Sequence, residues 1–234
     1  DPFGNAHMQL SRVETREPKA LISAVREAVG PDVDILIKAH DRFSTYAAIE
    51  IGNWLKDYEV TWFETPVLST DISALVEVAR RVPVRVIAGE RMHAIHEFGE
   101  FLSRNVTDVI NPEPRGGGGI WRSLQIAGIA EANHAEIALH NAESPFKTMV
   151  ALHIDAVTPN VFIQECFDDF WEPWVSDVLT GFLRVEDGYL EMPDAPGIGV
   201  DLNDQEAKKP PYGKSNFLRM FRPGWEKRDT AGSE

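Results

Sequence analysis

The sequence predicts an α/β fold of parallel strands joined by crossover helices, with a (β/α)8-type barrel preferred over a doubly wound open sheet. Three observations carry this. Short apolar runs alternate with longer segments of helical period. The ends of those runs recur at a nearly constant distance: Lys38 to Glu64 is 26 residues, Glu64 to Glu90 is 26, Glu90 to Glu113 is 23, Glu113 to His140 is 27 and His140 to Glu165 is 25. Polar groups collect at those ends, where a barrel keeps its working residues.

Taken in order, a helix over 18–29 leads into a first strand over 34–38. Helices over 45–57, 71–82, 96–104, 118–133 and 145–157 then alternate with strands over 60–64, 86–90, 108–111, 136–140 and 161–165. Asp71 suits an N-cap, and Pro145 suits a first helical turn. The open-sheet alternative is weaker, because its glycine fingerprint should follow the first strand. The only glycine cluster, Gly116-Gly117-Gly118-Gly119, follows the fourth. These units place the barrel portion at 1–178. Residues 179–234, broken by Gly188, Pro196 and Gly197 and then charged, read as an extension packing on the barrel or on a capping region.

The 234 residues are 43% hydrophobic and 26% charged, enough apolar material for a core. A formal charge of -14 repels phosphate backbones and anionic lipid, so neither a nucleic acid nor a membrane is an expected partner. No apolar run approaches the ~20 residues that span a bilayer. With one cysteine, Cys166, there is no internal disulfide and no cysteine zinc cluster, and a reducing, cytoplasmic setting is the default.

The chemistry sits at the strand ends. Glu64, Glu90 and Glu165 with His40 and His140 would share one mouth if the sheet closes, and oxygen ligands from neighbouring strands suit a hard cation such as Mg2+. Each glutamate alone could be a solvated loop residue; the joint placement is the argument. Glu64 lies in Trp62-Phe63-Glu64-Thr65-Pro66, where burial without a cationic partner would be costly. His140 ends a strand and precedes a turn, so it could move a proton near neutral pH. His7, in the opening loop, could reach a substrate. His93 and His96 are too weakly patterned for a metal pair, His153 reads as packing and His134 as a loop residue. Trp54, Trp62 and Trp121 read as packing residues, with Trp171 and Trp174 as candidate pocket walls.

Trp62-Phe63-Glu64-Thr65-Pro66, Ile87-Ala88-Gly89-Glu90-Arg91, Ala138-Leu139-His140 and Ile163-Gln164-Glu165, in this order and spacing, resemble the enolase superfamily. Within it they resemble the mandelate racemase subgroup and its galactonate- or gluconate-type sugar-acid dehydratases. The resemblance implies a (β/α)7β barrel with an α+β cap and an Mg2+ ion held on three successive strands. The reaction it implies is a lyase reaction on an acid sugar, giving a 2-keto-3-deoxy acid. It assigns Glu64 and Glu90 to the metal, His140 to the base, His40 to the general acid and Glu165, Arg42 and Arg91 to substrate contacts. A homo-oligomer is also implied.

Two residues depart from that pattern. Lys38 stands where the first acidic ligand belongs, and an ammonium donates only. An ion pair with Glu64 and Glu90 in place of the metal is therefore the expectation, with Lys38 facing the substrate site. Glu113 stands where a shorter aspartate usually orients the histidine. Racemisation or epimerisation, and a relative repurposed through Lys38, are the competing readings. A closed barrel needs eight strands and typically ~250 residues. Asp1-Pro2-Phe3-Gly4 therefore reads as a loop following a second strand, and the expected whole protein is longer, with two more strands and the cap.

Overall fold

A computed structural model describes residues 8–209 except 168–170, 172–173 and 193. His7, Asp1-Pro2-Phe3-Gly4 and the charged tail from residue 210 lie outside the described residues. Helix α1 (Arg16–Val29) leads to β1 (Ile35–Lys38), followed by α2 (Thr45–Leu55), β2 (Val60–Glu64), α3 (Ile72–Arg81), β3 (Arg85–Ile87) and α4 (Ile95–Leu102). Then come β4 (Val109–Ile110), α5 (Gly119–Ala132), β5 (Glu136–Ile137) and α6 (Pro145–Asp155). Strands β1, β2 and β3 pair in parallel in chain order, as do β4 and β5. A hydrogen bond from Asn111 N–H to Ala88 C=O at 3.2 Å links the two groups. Each strand lies beside its predecessor with a helix between, the succession of a barrel wall.

Alternation along the strands separates two apolar layers. Phe63, Val86, Ile110 and Ile137 face the large core shared with the helices, whereas Trp62, Ile87, Val109 and Ala138 form a second cluster on the opposite face. The Trp62 and Phe162 rings meet at 5.9 Å, and Arg85 lies over Phe162 while pairing with Asp108 at 2.8 Å. Apolar residues on both faces explain why these strands read as continuous runs.

The helix starts follow the capping chemistry of the sequence. Ser44, Asp71 and Ser144 accept hydrogen bonds from the N–H groups of Ala47, Ala74 and Lys147, and Pro145 occupies the first turn of α6. Helix α2 stops two residues short of its expected end, in a 3-10 turn (Lys56–Tyr58) that Glu59 closes at φ 53°.

The run 161–165 is not a strand. Only Val161 bridges, to Ile137, and beyond it the Gln164 amide side chain donates to Leu139 C=O at 3.2 Å where a ladder bond would run. Trp121 is a second correction: it is 71% exposed on the outer side of α5, whereas Trp54 and Trp62 are buried. Helix α7 (Val175–Val178), the antiparallel pair β6 (Leu179–Thr180) and β7 (Asp201–Leu202), and α8 (Asp204–Ala207) follow. No helix among the described residues is long and apolar enough to cross a membrane.

Candidate functional site

The parallel register sets the site. Lys38 pairs with Glu64 across β1 and β2, so both side chains emerge on one face at the C-terminal strand ends. Backbone bonds continue beyond the regular strands: Ala39 N–H to Glu64 C=O, Thr65 N–H to Ile87 C=O and His140 N–H to Pro112 C=O. Gly89, at φ 152°, carries the chain past Asn111, whose carbonyl carbon would lie 2.8 Å from any Cβ there. This close approach sets Glu90 beside Lys38. His40 and Asp41 are consecutive left-handed residues, φ 54° and 60°, a strained corner that returns Asp41 N–H to Thr65 C=O.

Lys38 Nζ lies 2.8 Å from Glu64 Oε1 and 2.7 Å from Glu90 Oε2. Both contacts set the ammonium against a carboxylate oxygen at ion-pair distance. Burial presses the Lys38 pKa down, but Glu64 and Glu90 outweigh it and the net shift is upward, so the lysine is an ammonium. Glu90 is held below the usual carboxylate range: burial pushes it up, and Lys38 and then His140 more than reverse this. Glu64 is more deeply buried, and there the burial wins over Lys38, leaving its pKa raised. Lys38 lowers both carboxylates, and the opposite net directions reflect the deeper burial of Glu64. Asn111 Nδ2 also donates to Glu64 Oε1, at 2.8 Å.

The second cluster centres on His140. Its Nδ1 lies 2.6 Å from Glu113 Oε2, and the buried Lys147 ammonium contacts the same oxygen as well as Glu143 Oε2. Burial raises the Glu113 pKa, but the His140 and Lys147 hydrogen bonds bring it down to about 2, so the carboxylate is ionised. An ionised acceptor assigns a proton to Nδ1, and Nε2 is the ring nitrogen left facing the site. Nε2 stands 3.7 Å from Glu90 Oε1 and 4.0 Å from Glu165 Oε2, beyond hydrogen-bond range of either. Asn141 N–H donates to Glu165 Oε2 at 2.7 Å and fixes that carboxylate.

His40 has its pKa pushed down, by burial first and Lys38 second. Arg91 pairs with Asp41 at 3.3 Å, and Asp41 also accepts from Ser69 N–H and Oγ–H. Arg42 lies over the Phe43 ring at 5.6 Å. The structure therefore brings together Lys38, Glu64, Glu90, Glu113, His140 and Glu165, and ties Arg91 to a neighbour. Sequence reasoning missed Asn111, Asn141 and Lys147. Asn111 was findable, two residues before Glu113 on the same strand-end face, whereas nothing in the spacing signals that Lys147 reaches back from α6.

A divalent cation does not fit these donors. Mg2+ needs oxygens at about 2.0–2.1 Å, whereas the gap between Glu64 Oε1 and Glu90 Oε2 is spanned by an ammonium. Glu113, His140 and Glu143 each bring a donor atom within 4.8 Å of the others, yet Lys147 touches both of those carboxylates.

Residues 3–207 match the family described as enolase C-terminal domain-like. The D-gluconate dehydratase of Thermoproteus tenax is 34% identical over 98% of this chain and 46% of its own length. The D-gluconate/D-galactonate dehydratase of Picrophilus torridus is 28% identical over 96% of this chain and 57% of its own. Among solved structures, a mandelate racemase/muconate lactonizing enzyme from Jannaschia sp. CCS1 superposes with a TM-score of 0.82 at 29% identity, covering 91% of this chain and 55% of that one. The chain spans about half the length of the curated relatives it matches.

Proposed function

The chain belongs to the enolase C-terminal domain-like family, and on that premise we propose that its strand-end site performs the chemistry of an acid-sugar hydro-lyase. The observation that carries this reading is the His140 imidazole, held at Nδ1 by ionised Glu113 with Nε2 turned toward the site. The dehydratase names of the similar proteins give the substrate class, a small polyhydroxy acid.

In this reading His140 Nε2 takes the proton α to the substrate carboxylate, and the electron pair left behind forms the double bond of an enol. The β-hydroxyl departs as water with a proton from His40, and the enol ketonises to a 2-keto-3-deoxy acid. Burial and then Lys38 push the His40 pKa down; the negative charge of an arriving carboxylate acts against the Lys38 effect and favours the protonated ring. Glu165, oriented by Asn141, faces the substrate hydroxyls. Glu64 and Glu90 are the residues the resemblance assigns to Mg2+, but as placed they hold Lys38.

Incubating the intact protein with a panel of aldonic and aldaric acids, with and without Mg2+, tests the reading by 2-keto acid release. Appearance of a 2-keto-3-deoxy acid from one of them, abolished in His140→Asn, is the expected outcome. No 2-keto acid from any substrate under either condition overturns it, and solvent deuterium uptake without water loss assigns a racemase or epimerase instead.

A further inference from the structure

We propose that Lys38 is the resident cation of this centre, standing in the place of a divalent metal between Glu64 and Glu90 and making the site metal-independent. The inference concerns what occupies the carboxylate pair and does not depend on which acid the site turns over.

Three observations support it. First, the Lys38 ammonium reaches one oxygen of each carboxylate, at 2.8 and 2.7 Å, from the strand position that the resemblance reserves for an acidic ligand. Secondly, Glu64 Oε1 lies 2.8 Å from Lys38 Nζ and also 2.8 Å from Asn111 Nδ2, so two donors already crowd this one oxygen. A metal at that oxygen would have to displace two donors at once. Thirdly, the side chains are largely withdrawn from water, with 22% of Lys38 and 12% of Glu90 accessible. Moving the ammonium aside would leave a poorly solvated charge next to an incoming dication, which like-charge repulsion opposes.

The neighbouring cluster follows the same rule. Lys147 contacts Glu113 and Glu143, the two carboxylates that with His140 come nearest to a metal-binding group among the described residues. Each acidic cluster of the site thus holds a cation supplied by the chain itself.

Mn2+ is the probe, because its six-line paramagnetic resonance spectrum is lost on binding. The intact parent protein is expected to leave the signal of micromolar Mn2+ undiminished. Lys38→Asp, which offers three carboxylates from neighbouring strands, is expected to take up one Mn2+ per chain at least about tenfold more tightly than the parent. Lys38→Met, which only uncovers Glu64 and Glu90, is expected to fall between them, and circular dichroism confirms that each variant is folded. One Mn2+ bound per parent chain and lost in Glu90→Gln overturns the proposal, whether or not the lysine variants fold. A folded Lys38→Asp that binds no better than the parent also overturns it. Neither readout involves turnover, so the metal question and the lyase reading fail separately.

Discussion

Asp155, at the end of α6, carries a carboxyl that burial alone pushes up to about 7, and its Oδ1 is buried without a hydrogen-bond partner. Below the unfolded-state value near 3.8 both states hold the proton and the residue is neutral toward pH. Between that value and 7 the unfolded chain ionises first, so the folded state binds more protons and stability falls as pH rises. At about 1.4 kcal/mol per pK unit the full penalty is on the order of 4 kcal/mol. Asp155→Asn should therefore raise the urea midpoint at pH 8 and leave it nearly unchanged at pH 4; an equal effect at both would contradict the assignment. Such single-residue environments are what the sequence conveys least. Glu64, Glu90, His140 and Glu165 were legible because each closes one of the evenly spaced apolar runs, and the ends of those runs can be counted in the sequence. Asp155 and Lys147 depend on what packs around them, which spacing along one chain does not encode.

At the scale of elements, the junction between β3 and β4 depends on one glycine. A methyl group at Gly89 would sit 2.8–3.0 Å from the Asn111 backbone, and φ 152° is a conformation that side-chain-bearing residues rarely adopt. Gly89→Ala should therefore push the strands apart at the Asn111 N–H to Ala88 C=O bond, costing about 1–3 kcal/mol. A lower urea midpoint with an unchanged slope, together with weaker activity through a displaced Glu90, is the expected result. Gly89→Ala with parental stability would show that the approach relaxes freely. The first five strands were legible from their apolar runs, and two helix starts from Asp71 and Pro145, whereas the Ser44 and Ser144 caps emerge only from the structure. Residues 161–165 carry the same kind of run, but their pairing stops after the Val161 to Ile137 bridge and the Phe162 N–H to Ile137 C=O bond. Gln164 then bonds on that side through its side chain.

At the scale of the molecule, the edge of β1 away from β2 has no partner strand among the described residues, and Leu36 on that strand is 43% exposed. Unpaired backbone beside apolar surface is a template for self-association. The isolated 234-residue chain should therefore sediment as concentration-dependent oligomers, and Leu36→Lys should shift it toward monomer; a monomeric parent at all concentrations would contradict this. The wall also bears on how the protein assembles. The pairings Ile35 with Val60, Phe63 with Val86, Val109 with Glu136 and Ile137 with Val161 join residues 25, 23, 27 and 24 apart. Loop-closure entropy grows only with the logarithm of loop length, so these four closures oppose folding almost equally. No pairing gains a head start from chain connectivity. The order of events on the folding pathway is then left to the side chains, and the Trp62, Ile87, Val109 and Ala138 cluster, which draws on four successive units, is where a nucleus would gather.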